Sequence, residues 1–352
     1  IMSDIKRYNP QKFRGEASKT YCAAFYKHTN IRADGNAYAC CRGEKPITKV
    51  NGDLSSLLHS NEYQDLRKKT ERGVKLKGCS KCYLEEEHGK FSMRQQFNKD
   101  FGTDKQVALE WLEMYANNIC NLTCIMCWGE FSSAIWAKNN PDRPPKEGTK
   151  ALKSIPKIPE SVKRIRFMGG EPFMTSTHRK ILQTIKDSDL RNLYVEYTTN
   201  GQFMLKPDDH ALLHRCHKVT IDISIDAFGG LNSIVREGSD WEKIDMFVDD
   251  IIKNTKYTIG VYTTLHNKGW KNFNKLAKWV ESKKRMHMDL RKNHNIRGLY
   301  WCVSPVTYPE HLCISRLSDP DKTQLMEWIK RYDHLIVGSQ QHYIKNILNS
   351  GK

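Results

Sequence analysis

Three cysteines lie within a short stretch of the sequence, ICNLTCIMCW at 119–128. They are Cys120, Cys124 and Cys127. Structural zinc sites and cubane iron–sulfur clusters usually take four protein ligands. Three thiolates would hold three irons of a [4Fe–4S] cluster and leave the fourth iron open, and an open metal position is typical of a catalytic site. The spacing indicates such a cluster, with a zinc site or a chance grouping of cysteines as the alternative.

A second group of cysteines lies in the first ninety residues: Cys22, Cys40, Cys41, Cys79 and Cys82. The stretch NIRADGNAYACC at 30–41 predicts a β-hairpin with Asp-Gly at its turn and Cys40 on the returning strand. A predicted helix then leads to the Cys79-Ser-Lys-Cys82 motif. The N-terminal residues have no apolar segment typical of a secretory signal, so clustered cysteines favour metal binding or catalysis over disulfides.

Alternating strand-like and helical segments follow from about residue 108. Strands are predicted at 108–115, 164–169, 193–199, 218–226, 257–265 and 298–304, and helices between them at 178–187, 240–254 and 272–284. Repeated βα units predict parallel strands joined by crossover helices. Six units predict an α/β fold, a partial (βα)6 TIM-like barrel whose active site lies at the carboxyl ends of its strands. The domain limits predicted from this pattern are 1–105, 106–310 and 311–352.

One predicted strand has two chemically different faces. Within 218–226, the apolar residues Val219, Ile221, Ile223 and Ile225 alternate with Thr220, Asp222, Ser224 and Asp226. The apolar face should pack on the outer helices, which directs the polar face into the barrel. Because a filled TIM-barrel interior is apolar, a polar interior predicts a cavity that holds a ligand.

The three-cysteine loop directly follows the first predicted strand, and its CxxxCxxC spacing with Trp128 next to it resembles the motif of the radical S-adenosylmethionine (SAM) superfamily. The resemblance implies a [4Fe–4S] cluster on Cys120, Cys124 and Cys127 whose open iron binds SAM. It also implies reductive cleavage of SAM to a 5′-deoxyadenosyl radical, which abstracts hydrogen from a substrate.

Other elements resembling this family appear in order at the ends of the following strands. Gly169, Gly170, Glu171 and Pro172 match the GGEP motif, which implies contacts with the SAM amine. Thr199 and Asn200 open a TNG element. Resemblance further implies SAM contacts for residues after the later strands, with a surface role as the alternative for the arginine: Ser224, Asp226, Arg236, Thr264 and Asn267.

The first cysteine group resembles the SPASM/twitch module, which carries auxiliary [4Fe–4S] clusters in many radical SAM enzymes. It departs from that module in preceding the barrel and in lacking the later cysteines of the full pattern. The resemblance implies one auxiliary cluster on Cys22, Cys40, Cys79 and Cys82. Cys41 is an alternative to Cys40, and a zinc ion would satisfy the same four thiolates.

Substrate and partners follow only from the resemblance and the charge. Enzymes with such modules act mostly on peptides and proteins, which implies a peptidyl substrate and an external electron donor such as flavodoxin or ferredoxin. Cys302, on the last strand, is a candidate hydrogen-atom donor, with core packing as the alternative. No stretch approaches the roughly 20 apolar residues that cross a membrane, so we expect a cytoplasmic protein.

The net charge of +17 and two basic runs, at 67–81 and 283–297, raise alternatives to a peptide. They suggest radical modification of a nucleic acid or of a phosphorylated small molecule. Neither run contains Phe, Tyr or Trp for base stacking, so we expect nucleic-acid binding to be weak. A metal-stabilised binding protein is the non-enzymatic alternative, and it leaves the GGEP and TNG elements without a role.

Overall fold

The computed structural model describes residues 17–43, 45–50, 52–290, 298–337 and 340–349. Nine strands form a single sheet in the order β3-β2-β1-β4-β5-β6-β7-β8-β9. Their bounds are β1 His28–Ile31, β2 Asn36–Tyr38, β3 Thr48–Lys49, β4 Trp111–Met114, β5 Arg164–Phe167, β6 Tyr194–Thr199, β7 Lys218–Ser224, β8 Thr258–Leu265 and β9 Tyr300–Pro305.

Helices precede, connect and follow these strands. The N-terminal ones are α1 Ala17–Thr20, α2 Ala24–Lys27, α3 Asn61–Glu71, α4 Ser80–Glu87 and α5 Met93–Phe101. Those along the barrel are α6 Ser133–Asn139, α7 Thr177–Leu182, α8 Asp187–Leu190, α9 Pro207–Leu213, α10 Gly230–Val235, α11 Trp241–Asn254 and α12 Phe273–Asp289. The chain then adds α13 Asp319–Arg331 and α14 Gln340–Asn349.

Strands β4 to β9 run parallel to one another, which confirms the α/β fold with a partial six-stranded barrel. Each lies within or one residue beyond a segment that the sequence predicted. Helix α11 shows how the outer layer forms. The Asp240 side chain accepts hydrogen bonds from the first-turn amides of α11, and Ile244, Phe247, Val248 and Ile251 are buried on one face at helical spacing.

Polar side chains do point into the barrel, but in its lower part they pair with one another and do not line a cavity. Arg166 contacts Asp222 at 2.7 Å, and the Tyr300 hydroxyl donates to Asp222 at 2.6 Å. Arg164 contacts Glu196 in the same way, at 2.8 Å. Because a buried carboxylate needs charged or hydrogen-bonding partners, these pairs fill the space between the strands. A cavity lies at the carboxyl ends of the strands.

The N-terminal module is continuous with the barrel sheet. Strand β1 pairs antiparallel with β2, which confirms the predicted hairpin, but β2 ends at Tyr38, so the prediction that Cys40 lies on the returning strand was wrong. Strand β1 also pairs parallel with β4, where Asn30 lies opposite Glu113. At the other side, Lys90 Nζ lies 3.3 Å from Ser304 Oγ of β9, and Asn346 of α14 donates to the His88 carbonyl. The module therefore bridges the two edge strands of the partial barrel. Whether it is a separate domain stays a prediction.

Among the described residues, no helix combines the length and apolar character needed to cross a membrane.

Candidate functional site

The three-cysteine loop follows β4 and is held by backbone contacts with the segment after β7. Thr123 N donates to the Glu237 carbonyl at 2.9 Å, and Ile125 N donates to the Val235 carbonyl at 3.1 Å. The Ser132 hydroxyl donates to the Leu122 carbonyl at 3.0 Å and closes the loop from its far end. The loop therefore lies across the carboxyl end of the barrel, where the sequence placed the active site.

All three cysteines line one cavity of about 290 Å³, together with residues from the ends of β5, β6 and β7. Of the residues predicted to bind SAM, those lining it are Gly169, Gly170, Thr199, Asn200, Ser224 and Arg236. Burial raises the pKa of each thiol, to about 11 for Cys127, while the nearby Arg236 guanidinium lowers it. The thiols are therefore protonated at neutral pH and would release protons on binding a metal.

Two glycines after β5 let that strand end lie directly against the cysteine loop. Gly169 and Gly170 have φ angles of +78° and +54°. A Cβ on Gly170 would lie 2.3 Å from the Ile119 carbonyl oxygen, and one on Gly169 would lie 2.3 Å from the Tyr115 ring. The adjacent amide of Glu171 donates to the same Ile119 carbonyl at 2.7 Å. Glycine is required at both positions, because the Ile119 backbone leaves no space for a side chain at 170 and the Tyr115 ring leaves none at 169.

The Glu171 carboxylate is fully buried and is not among the residues that line this cavity. It accepts hydrogen bonds from the Thr199 hydroxyl and the Asn200 amide, each at 2.7 Å, and from the Phe173 amide at 3.1 Å. Burial outweighs these bonds and raises its pKa to about 7. The side chain thus ties the end of β5 to the end of β6, and its predicted contact with the SAM amine stays a prediction.

We expect Glu171→Ala to weaken SAM binding by at least about tenfold while the iron on the three cysteines is retained. Truncation leaves three buried donors without an acceptor, at a cost of about 1–3 kcal/mol each, which loosens the Asn200 side of the cavity. Equilibrium binding of SAM and iron content, measured together, check this result. Glu160→Ala is the matched control, because Glu160 forms only an exposed pair with Lys186. Loss of the iron in Glu171→Ala, or unchanged SAM affinity, would contradict this role.

Arg236 is fixed at the wall of the cavity. Its Nη1 donates to Asp226 at 2.7 Å, and the other carboxylate oxygen of Asp226 accepts from the Thr264 amide at 2.7 Å. Only 13% of the Arg236 side chain is exposed, so the alternative of an ordinary surface arginine is wrong. Its Nε is buried without a partner among the described residues. A guanidinium held in this way can bind a carboxylate that enters the cavity.

Five other predicted residues lie outside the lining of this cavity: Pro172, Asp226, Thr264, Asn267 and Cys302. The side-chain amide of Asn267 donates a hydrogen bond to the His311 carbonyl at 2.8 Å and so holds the segment after β9. Cys302 lies opposite Tyr262 on the paired strands β8 and β9. Its role as a hydrogen-atom donor stays a prediction.

Several residues in or beside this cavity were not predicted as site residues, although most of them are neighbours of recognised motifs. Tyr115 directly follows β4, and Met168 precedes Gly169. Asn121 lies between two of the loop cysteines and accepts a hydrogen bond from Asn200 at 2.9 Å. Trp128 is 51% exposed and stacks on Tyr308, which is 71% exposed, with ring centroids 6.4 Å apart. Because Tyr308 comes from beyond β9, only the folded chain brings this aromatic pair together.

The four cysteines predicted to bind an auxiliary cluster line a second cavity of about 400 Å³: Cys22, Cys40, Cys79 and Cys82. Burial raises the pKa of these thiols where a shift is resolved, to about 11 for Cys79. Across the described ranges, no three His, Cys, Asp or Glu side chains surround one point closely enough to hold a single metal ion. The four thiols share this cavity with side chains from α2, α3 and α5.

Adjacent cysteines point to different places. Cys40 lines the second cavity, whereas Cys41 is not among its lining residues. The Cys41 amide donates to Glu113 on β4 at 3.2 Å, and burial beside that carboxylate raises the pKa of its thiol to about 12. The geometry favours Cys40 over Cys41 as a ligand in this cavity.

The sequence matches two family models. Residues 114–280 match the radical SAM superfamily, and residues 22–83 match an iron–sulfur cluster-binding domain, SPASM. No curated protein matches the sequence. The matched segments contain the first and second cysteine groups, respectively.

The chain is also similar to solved structures. One is Streptococcus suis SuiB bound to S-adenosylmethionine, with a TM-score of 0.39 and 14% identity over 78% of this chain and 49% of SuiB. Another is anSMEcpe bound to AdoMet, with a TM-score of 0.38 and 16% identity over 69% of this chain and 63% of that one. The chain therefore spans about half of SuiB and less than two thirds of anSMEcpe.

Proposed function

We propose that this chain, whose residues 114–280 match the radical SAM superfamily and whose residues 22–83 match the SPASM iron–sulfur domain, is a radical SAM enzyme that modifies a peptide or protein substrate. This assignment implies S-adenosylmethionine and [4Fe–4S] clusters as its cofactors. The observation that carries the assignment of residues is the single cavity lined by Cys120, Cys124 and Cys127 together with the Gly169–Gly170 turn and Arg236.

The residues around this cavity have different proposed roles. Cys120, Cys124 and Cys127 would hold the cluster. When bound, the cluster supplies the electron that cleaves SAM to a 5′-deoxyadenosyl radical, which abstracts a hydrogen from the substrate. The Arg236 guanidinium, held by Asp226, would bind the carboxylate of SAM. The glycine turn keeps the neighbouring backbone close enough to bind the ligand, and Glu171 fixes the position of Asn200.

Cys22, Cys40, Cys79 and Cys82 would hold the auxiliary cluster. The supporting observations are that all four line one cavity and lie within the segment 22–83 that matches the iron–sulfur cluster-binding domain. Two of these cysteines lie at the start of α4, and the other two lie before α2 and after β2. Elements far apart in the sequence therefore have to fold before the four thiols can share a ligand.

A peptide substrate is supported by the exposed aromatic pair beside the first cavity. Trp128 lines that cavity and extends to its rim, where it stacks on Tyr308. Exposed aromatic rings offer apolar area with little loss of conformational entropy on binding, which suits peptide side chains and backbone. The SPASM domain, typical of peptide-modifying members, supports the same class. An external one-electron donor such as flavodoxin or ferredoxin completes the proposed set of partners.

We expect anaerobically reconstituted protein, given SAM and dithionite, to release 5′-deoxyadenosine, as measured by chromatography. A candidate peptide substrate should increase that release. Absence of 5′-deoxyadenosine from iron-loaded protein would contradict the proposed chemistry. Stimulation by RNA but not by any peptide tested would instead favour modification of a nucleic acid.

Binding to RNA and DNA oligonucleotides should be weak, at about micromolar Kd or poorer at physiological salt, and without sequence preference. The basic run at 67–81 contains no aromatic residue on which bases would stack, and residues 291–297 of the other run lie outside the described residues. Titrations at two salt concentrations check the prediction. Tight binding that survives the higher salt would contradict it.

A further inference from the structure

The basic side chains of the run at 67–81 have no role in the chemistry proposed above, yet the run contains Cys79, which lines the auxiliary cavity. It contains seven basic residues and one acidic residue. Arg67 is buried and donates to the carbonyls of Phe25 and Leu58, so its role is structural. The other six basic residues are exposed and together form what we call the basic face: Lys68, Lys69, Arg72, Lys75, Lys77 and Lys81.

Most of the charge on the basic face is not neutralised locally. Lys69 pairs with Asp65 at 2.6 Å, and Lys75 lies 3.8 Å from Glu87. Within the described part of the chain, Lys68, Arg72, Lys77 and Lys81 have no salt bridge to an acidic side chain. Unpaired exposed cations of this density attract an anionic partner and accelerate its association.

The basic face adjoins the auxiliary cavity. Lys77 and Lys81 line that cavity together with Cys79 and Cys82, and Lys45 adds to its positive lining. Arg42 and Arg94 also line it, but they are paired with Glu85 and Glu86. Two acidic residues also line it, Glu62 and Asp65. By contrast, Arg236 is the only Lys or Arg that lines the first cavity in the described ranges. An anionic partner is therefore attracted to the auxiliary side of the molecule more strongly than to the SAM side.

The composition of the basic face suits a protein better than a nucleic acid. Val74 lies within the run and is 46% exposed, and Leu84 on the following helix α4 is 42% exposed. Protein interfaces typically have apolar residues surrounded by polar and charged ones, whereas proteins that bind single-stranded nucleic acid present aromatic side chains on which the bases stack. The run itself offers none.

We propose that the basic face is the docking surface of an acidic one-electron carrier protein, which delivers its electron at the auxiliary site. This proposal rests on the proposed function, because electron delivery there needs a cluster on the four cysteines. The carrier would lose one electron, a cluster on the four cysteines would accept it and pass it to a cluster on Cys120, Cys124 and Cys127, and no bond or proton would be exchanged. Cys40 lines the auxiliary cavity, and the amide of the neighbouring Cys41 donates to Glu113 inside the barrel.

Charge reversal on the basic face tests the proposal, in the variant K69E/R72E/K75E. None of these three residues lines either cavity. The matched control is K275E/K278E/R285E on α12, which reverses two lysines and one arginine at exposed positions and changes the net charge equally. For each reconstituted protein, release of 5′-deoxyadenosine is measured at low salt with either reduced flavodoxin or dithionite as the electron source.

With flavodoxin, the basic-face variant should be slower than wild type by at least about tenfold, because reversal removes electrostatic steering, and raised salt should slow the wild type too. With dithionite, both variants should match wild type, since a small reductant needs no docking surface. Cys79→Ala, which removes a proposed ligand of the auxiliary cluster, should lower flavodoxin-driven cleavage by at least about tenfold.

Equal flavodoxin-driven rates in the basic-face variant and the control would overturn the docking surface, as would an equal loss with dithionite. Undiminished flavodoxin-driven cleavage in Cys79→Ala would overturn electron entry at the auxiliary site. Loss of RNA binding without loss of flavodoxin-driven rate would assign the face to a nucleic acid. If wild type makes no 5′-deoxyadenosine with dithionite, the proposed function itself has failed, which is a distinguishable result.

Discussion

Cys124→Ala should lower reductive cleavage of SAM by at least about 1,000-fold, which corresponds to about 4 kcal/mol of lost transition-state stabilisation. Cys124 is buried, lines the first cavity and lies near Arg236. With only three thiolates in the loop, no described cysteine outside it lines the same cavity to replace the lost ligand. The measurement is 5′-deoxyadenosine formed per chain with dithionite as reductant.

The control for this variant is Cys216→Ala. Cys216 is partly buried, but its thiol contacts the Leu212 carbonyl at the end of α9 and lines neither cavity. Its removal should leave cleavage within about twofold of wild type, because substitutions away from a functional site usually have small effects. Undiminished cleavage by Cys124→Ala would exclude Cys124 as a ligand of the SAM-cleaving cluster.

Gly170→Ala should have the second largest effect, through the backbone. The added Cβ would lie 2.3 Å from the Ile119 carbonyl oxygen and 2.7 Å from the Ile119 amide nitrogen. The positive φ adds a further penalty of about 1–2 kcal/mol for a residue with a side chain. Since the loop carrying Cys120 must move to relieve the overlap, we expect SAM cleavage to fall by at least about 100-fold and the free energy of unfolding by more than about 2 kcal/mol.

Gly230→Ala is the matched control for Gly170→Ala. Gly230 begins α10, and a Cβ there meets no atom within 4 Å. Alanine is the better helix former, so this variant should be as stable as wild type or more stable, by up to about 1 kcal/mol. Equal stabilities and activities for the two variants, measured by denaturant unfolding and product release, would show that the turn does not depend on glycine.

The barrel was predictable from the sequence because its determinants are local. Alternation of Val219, Ile221 and Ile223 with polar residues fixes the faces of β7, and helical spacing from Ile244 to Ile251 fixes the buried face of α11. The motifs at the strand ends could be located for the same reason, since parallel strands bring their carboxyl ends to one edge.

The strand pairing and the hydrogen-bond partners described below could not be predicted from the sequence, because they depend on contacts between distant segments. Pairing of β1 with β4 joins residues about 80 positions apart, and neither strand's own pattern specifies that neighbour. Glu171 matches a ligand-binding motif, yet its hydrogen bonds to Thr199 and Asn200 are decided by how β5 and β6 meet. Asp222 was expected to line a cavity, but Arg166 and Tyr300 reach it from strands on either side.

Metal content measured after anaerobic reconstitution tests most directly the central claim, that this chain holds two [4Fe–4S] clusters on two separate groups of cysteines. The unmutated chain should contain about eight irons, and the triple variant C120A/C124A/C127A about four. Iron and zinc are quantified together on the same samples. Stoichiometric zinc with only about four irons in the unmutated chain would contradict the auxiliary cluster, and unchanged iron in the triple variant would contradict the SAM-cleaving one.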